Sequence, residues 1–259
     1  MSFNKFIKLA VTVGMTVGLA ACSSNSTTST ADTSISEETK TIVIATSPDY
    51  PPYENLENGE MVGFDLDMID WLFNWLNENG YNYDYEWKQM SFDTIVTAIQ
   101  GNQVDLGVAG FVYNESRAEN AAFSDPYFES AQVVLLNADS DITSVDDLKG
   151  KKIGAQSGTT GEKCVEEIEG ATLTSITDAT ILVETLKAGS IDAVILEEPV
   201  AKNYAENGDY KVLDETLKDE KNYILTAKEG KEDLLEAINK AIAAFKESED
   251  YTTLVEEWF

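Results

Sequence analysis

Two separated stretches of this chain make the same transition. Thr97-Ala-Ile-Gln-Gly-Asn-Gln-Val-Asp105 and Thr185-Leu-Lys-Ala-Gly-Ser-Ile-Asp192 each end a helix at a glycine and enter a strand. A helix that stops at glycine and runs at once into a β-branched segment is one unit of an alternating α/β chain. Meeting the unit twice predicts two α/β lobes with related motifs. Their sheets should be mostly parallel, with ligands at the carboxyl ends of the strands.

The surrounding sequence follows the same grammar. Thr41-Ile-Val-Ile-Ala-Thr46 is short, apolar and β-branched, as a strand covered on both faces should be. Pro48, Pro51 and Pro52 turn it into a loop, and a helix opens near Asp65 with Met68, Ile69, Leu72, Trp75 and Leu76 at helical spacing. Asp65 and Asp67 sit in its first turn, where they complement the dipole, and Gly80 stops it. Tyr83, Tyr85 and Trp87 alternate as in a strand, then a helix (93–101) and a strand (104–108) follow. The pattern restarts near Lys151: a strand at Ile153–Gln156, a turn at Ser157–Gly161 into a helix, and a further helix opened by Asp178. Tyr223–Thr226 reads as a strand, and Leu234, Leu235, Ile238, Ala241, Ile242 and Phe245 as the stripe of a last helix.

The N-terminus belongs to another class of signal. Lys5 and Lys8 precede the apolar run Leu9–Ala20, which is shorter than the roughly 20 residues a spanning helix needs. Residues 1–21 read as a signal peptide, and Leu19-Ala20-Ala21-Cys22 resembles the bacterial lipobox, whose cysteine is lipidated after cleavage. Residues 22–40 then form the lipidated Cys22 and a polar tether without aromatic residues, unable to bury enough surface to fold. Cleavage before Cys22 removes two lysines and takes the formal charge from −29 to −31 (16 basic, 47 acidic). So acidic a surface repels phosphate backbones and excludes nucleic acid as a partner. The chain contains no histidine, which removes the commonest general base and metal ligand. No metal, cofactor or catalytic constellation is expected. Cys164 has no intrachain partner once Cys22 carries lipid, and reads as a small buried apolar residue.

Arg117 is the single arginine among seventeen lysines. A lone guanidinium just past a strand end points to a planar fork for a carboxylate. Ser157-Gly158-Thr159-Thr160-Gly161, between strand and helix, offers backbone N–H groups to an anion or is a plain tight turn. It is not a P-loop, because no Gly-Lys-Ser/Thr follows. The pairs Asp65/Asp67 and Glu197/Glu198 are what chance supplies in so acidic a chain, and Pro199 marks a helix start.

Several motifs occur in order: Pro51-Pro52-Tyr53-Glu54, Gly63-Phe64-Asp65-Leu66-Asp67, Arg117, Phe123-Ser124-Asp125-Pro126-Tyr127, Asp147-Leu148-Lys149-Gly150-Lys151 and Gly158-Thr159-Thr160. From Thr41 to Phe259 the chain resembles the family 3 extracellular solute-binding proteins, polar amino-acid receptors of ABC importers. That resemblance implies a two-lobed (type II) periplasmic-binding-protein-like α/β fold. Lobe 1 would comprise 41–132 plus 223–259 and lobe 2 133–222, joined by crossover strands near Gln132–Leu135 and Asn222–Thr226. It also implies roles. Arg117 with Thr160 and Thr159 would bind the ligand carboxylate, and Glu197 with the carbonyl of Gly110 the ammonium. Tyr50 and Phe92 would sandwich the side chain, with Ser47, Gln156 and Val112 lining its pocket.

Four positions depart from the family pattern. Glu197 replaces the usual Asp, Val112 a hydroxylated residue, Asn114 the Thr of T-x-x-R, and Ser47 an Asp found in several receptors for polar amino acids. The last departure disfavours a cationic ligand side chain. The implied protein is a monomeric, membrane-anchored, extracytoplasmic receptor without enzymatic activity that hands its ligand to a permease. A cyclohexadienyl dehydratase-like enzyme on the same fold and a tethered sensor without transport are the alternatives.

Overall fold

A computed structural model describes residues 39–259, so the leader, Cys22 and the tether to residue 38 lie outside the described residues. The chain opens with β1 (Lys40–Thr46), then β2 (Asp49–Tyr50), β3 (Glu54–Glu57), β4 (Glu60–Val62) and helix α1 (Phe64–Glu78). There follow β5 (Tyr83–Gln89), α2 (Phe92–Gln100), β6 (Leu106–Val112), α3 (Glu115–Asn120), β7 (Ala122–Phe123) and β8 (Phe128–Asn137). The restart supplies β9 (Lys152–Gln156), α4 (Thr160–Glu167), β10 (Thr172–Ile176), α5 (Ala179–Lys187), β11 (Ala193–Glu197), α6 (Glu198–Asn207) and β12 (Tyr210–Val212). Then β13 (Lys218–Thr226), α7 (Glu232–Lys246) and α8 (Glu249–Trp258) close the chain.

The main strands run in the order β10-β9-β11-β8-β13-β6-β1-β5. Each end is parallel, as the alternation predicts: β1 with β5 and β6, β9 with β10 and β11. Between them lie β8 and β13, antiparallel to each other from Phe128↔Asn222 to Gln132↔Lys218. The two expected crossover segments fall on these strands, but largely on their outer halves. Gln132–Leu135 pairs with β11, while Asn222–Thr226 pairs with β6, which returns the C-terminus to the first half of the sheet. That return, which periodicity does not predict, brings α7 against α1.

Helices cover both faces. Ile42 and Ile44 of β1 face the cluster of α1 and α7, whereas Ala45 faces Phe92, Ile95 and Ile99 of α2. Across the sheet, Ile153 and Ala155 meet Val165 of α4, and Val194 and Leu196 meet Leu182 and Leu186 of α5. Two local expectations change. Ala237 is buried in the α7 stripe, where Leu235 is only half-buried. The proline loop contains a small sheet, β2-β3-β4, because Asn58-Gly59 takes positive φ and closes a two-residue hairpin.

Gly63 ties that sheet to α1. Its φ is 142°, and a Cβ there would stand 2.2 Å from the carbonyl oxygen of Tyr53. The close approach lets Asp65 N donate to Tyr53 O at 3.0 Å and Phe64 N to Pro52 O at 3.0 Å, which fixes the Tyr50–Tyr53 segment over the sheet. Gly63→Ala therefore adds both backbone strain and overlap. It should destabilise the fold by about 2–4 kcal/mol, read as a lower urea midpoint at unchanged slope.

Candidate ligand-binding site

The carboxyl ends of β6, β9 and β11 converge at the middle of the sheet. Gly110, Val112, Gln156 and Glu197 from these ends, Thr159 and Thr160 at the start of α4, and Tyr50 and Phe92 surround one cavity. Its volume is about 10 Å³, the scale of a single water, so any larger solute needs the walls to part. Arg117 lines an adjoining groove of about 320 Å³ that shares Phe92 and Thr159 with the cavity. Ser47 lines a separate groove of about 550 Å³. Every residue expected at the site thus lies on the cavity or on one of these two grooves.

Arg117 is buried at 6 % exposure. Its Nη1 donates to Val112 O and its Nη2 to Gly158 O at 2.9 Å. Cζ lies 4.9 Å from the Phe111 ring centroid and 5.5 Å from that of Phe92, so aromatic faces flank the cation. Burial lowers its pKa to about 10, against the attraction of Glu197 and Glu220, which leaves it charged at neutral pH. Asn114 Oδ1 caps α3 by accepting from Arg117 N at 2.7 Å.

Glu197 ends β11 and is buried. Its Oε2 accepts from Asn222 Nδ2 at 2.8 Å and from Tyr53 Oη at 3.1 Å, and its backbone N donates to Tyr50 Oη at 3.1 Å. Burial raises its pKa to about 8, with Asn222 opposing and nearby Glu220 adding to the rise. Near neutral pH the group is therefore largely protonated, and a cation brought against it would displace that proton. Glu220 on β13 accepts from Gln132 Nε2 at 2.8 Å and from Thr160 Oγ1 at 2.9 Å, and pairs with Lys218 at 3.0 Å. The side chain of Thr160 is thereby held by an acid on a crossover strand.

Asp65 stands in the first turn of α1, as expected, and has further partners there. It is fully buried, and its Oδ2 accepts from Gly110 N and Tyr127 Oη, each at 3.0 Å. Gly110 has φ 54°, and its carbonyl accepts from Asn222 Nδ2 at 3.0 Å. Beside Asp65 lies the buried carboxyl of Glu54, whose oxygens have no N–H or hydroxyl donor among the described residues. Burial, then the charge of Asp65, push the Glu54 pKa well above its ordinary 4.5, so Glu54 keeps its proton and donates it to Asp65.

Tyr53, Gln132, Glu220 and Asn222 escape residue-by-residue reading as functional groups. Tyr53 sits inside a quoted motif. Glu220, one acid of 47, has no signal of its own. Among the described residues no three His, Cys, Asp or Glu side chains converge on a metal position, and no helix is long and apolar enough to cross a membrane.

Two sheet halves joined by a pair of crossing strands, with polar groups buried where they meet, are the arrangement of a protein that binds a small solute. The model of the bacterial extracellular solute-binding proteins, family 3, matches residues 42–259, and the chain belongs to that family. It is 28 % identical over 263 residues to the arginine-binding extracellular protein ArtP of Bacillus subtilis, covering 99 % of this chain and 98 % of that one. Among solved structures, the substrate-binding protein of an amino-acid ABC transporter superposes with TM-score 0.76 at 34 % identity, over 85 % of this chain and 99 % of that chain. The arginine-, lysine-, histidine-binding protein ArtJ of Geobacillus stearothermophilus gives 0.78 at 29 %, over 85 % and 95 %. The two-lobed periplasmic-binding fold follows, and the protein is a binding protein and not an enzyme.

The Glu54–Asp65 pair has a measurable consequence. Because the folded pKa of Glu54 lies above its unfolded value, its stabilising contribution is complete in acid and is lost as pH rises through the folded pKa. Glu54→Gln mimics the protonated form. Its melting temperature should match wild type at about pH 5 and exceed it at about pH 9.

Proposed function

We propose that the chain is the lipid-anchored, extracytoplasmic receptor of an ABC importer, a monomer that binds an amino acid or close analogue and delivers it to the permease. Lobes of 41–132 with 223–259 and of 133–222 would close about β8 and β13. The observation that carries this reading is a buried guanidinium and a buried carboxyl at the strand ends, Glu197 on the cavity and Arg117 on the groove that adjoins it. An α-amino acid presents the complementary pair of charges. Arg117, with Thr159 and Thr160, takes the carboxylate, while Glu197 and the Gly110 carbonyl take the ammonium. Tyr50 and Phe92 flank the side chain, with Val112, Gln156 and Ser47 around it. Relatives described as arginine- and histidine-binding support an amino-acid ligand. The lipobox-like Cys22 supports anchoring, which keeps the receptor near its permease.

The site balances energetically. Charge-assisted hydrogen bonds contribute roughly 1.5–3 kcal/mol each. A micromolar receptor needs only about −8 kcal/mol net, so a few such bonds offset the desolvation of two charges.

A thermal-shift panel of the twenty amino acids should give at least one stabilising ligand, since binding raises stability by mass action; a panel with none overturns the reading. For that ligand, Arg117→Lys should weaken binding by about tenfold or more, ~1.4 kcal/mol, because the planar fork is lost. Calorimetry should also show a proton released on binding. Since Glu197 must ionise from a pKa of about 8, affinity should rise with pH by up to about tenfold per unit below that value and level off above it.

A further inference from the structure

The last helix, α8, has no buried residue of its own, yet hydrogen bonds fix its place on the fold. The Trp258 indole Nε1 donates to Asp67 Oδ2 on α1 at 2.8 Å, and Trp71 Nε1 of α1 donates to Asp250 Oδ2 on α8 at 2.8 Å. Two such bonds, running in opposite directions near the two ends of α8, set its rotation and register against α1. They deliver the next residue, Phe259, onto three rings from three other segments. Its centroid lies 4.4 Å from that of Phe128, 4.8 Å from that of Phe64 and 5.2 Å from that of Tyr53, close to the separations of attractive aromatic pairs. Phe259 is 36 % exposed while Tyr53 and Phe64 are wholly buried, so its ring is the outer cover of the group.

Two of the covered rings bear on the site. Phe128 opens the crossing strand β8 and pairs with Asn222 on β13. Tyr53 carries its hydroxyl to the same asparagine, 3.2 Å from Asn222 Oδ1, and to Glu197 Oε2 at 3.1 Å. That hydroxyl has one hydrogen, and given to the carboxyl it favours the ionised form of Glu197. The other ionisable groups acting on Glu197 are Tyr50, Glu54, Glu220 and Arg117, and a phenyl ring adds no charge to them. Phe259 lines neither the cavity nor its two grooves, so its influence can travel only through the rings it touches. We propose that Phe259 is a positioning residue for ligand binding: packed on Tyr53 and Phe128 at once, it holds the Tyr53 hydroxyl against Glu197 and so fixes the carboxyl that meets the ligand ammonium. This rests on the amino-acid receptor reading and deepens it.

The test uses the amino acid that gives the largest thermal shift among the twenty, titrated calorimetrically from about pH 5 to about pH 9. In Phe259→Ala the Tyr53 hydroxyl is free to drift from Glu197, which raises the pH at which affinity levels off. That point should move up by about one unit, with affinity at pH 7 about tenfold weaker and the loss shrinking towards pH 9. Tyr53→Phe, which deletes the hydroxyl and keeps the ring, should give the same shift. Phe259→Ala added to Tyr53→Phe should move the curve little further, since both act through one bond. Trp258→Phe, which deletes the indole bond that delivers Phe259, should shift the curve the same way and covers the case in which the alanine variant folds poorly. A lower melting temperature with the pH curve unmoved makes Phe259 a cover alone; it overturns the positioning role and leaves the receptor standing. Shifts that add fully in the double variant do the same. A wild type that binds none of the twenty amino acids overturns both.

Discussion

Four buried carboxyl groups and a single buried guanidinium set the terms for this molecule. Glu54, Asp65, Glu197 and Glu220 are all out of solvent, and Arg117 is the one buried cation among the described residues. An isolated carboxylate in a low-dielectric interior is too costly to keep charged, so each must be paired, hydrogen-bonded or protonated. All three solutions appear. Glu220 takes Lys218 and two donors, Asp65 takes Gly110 N and Tyr127 Oη, and Glu54 and Glu197 hold protons. The interior is thus short of positive charge, and its one buried cation, Arg117, stands beside the cavity.

The crossing strands tie that shortage to the geometry. Gln132 lies on β8, Glu220 and Asn222 on β13, and between them they hold Thr160, Glu197 and the Gly110 carbonyl. The polar network is rooted where the sheet halves join and reaches outward to both. Substitutions at Asn222 or Glu220 would therefore reach groups on both sides of the cleft together.

Sequence patterns reveal the frame better than the wiring. β1 is legible because both of its faces are apolar, and the turn from β9 into α4 because glycines punctuate it. Arg117 stands out by being alone. Glu197 and Glu54 come to notice only through motif position, since a buried acid and a solvated one are spelled alike and only tertiary packing distinguishes them. Asp49 is hidden for the same reason, although it touches two residues expected at the site. The Asn58-Gly59 hairpin is a local signal that the surrounding prolines obscure. The return of β13 to β6 depends on pairing far along the chain, which no window of sequence contains.

The bond from Arg117 to the Gly158 carbonyl spans the cleft with protein atoms alone, as do those from Gln156 and Ala179 to Asp49 and from Glu197 N to Tyr50. If the halves close as proposed, such links would lower the free-energy cost of the shut form relative to a receptor whose halves meet only through ligand. A ligand then spends less of its affinity on shifting the population, and weak ligands hold better than their contacts alone would suggest. The same economy blurs the difference between loaded and unloaded shapes. A downstream protein that recognised closure alone would respond to vacant copies, so discrimination would have to come from how long the shut form lasts.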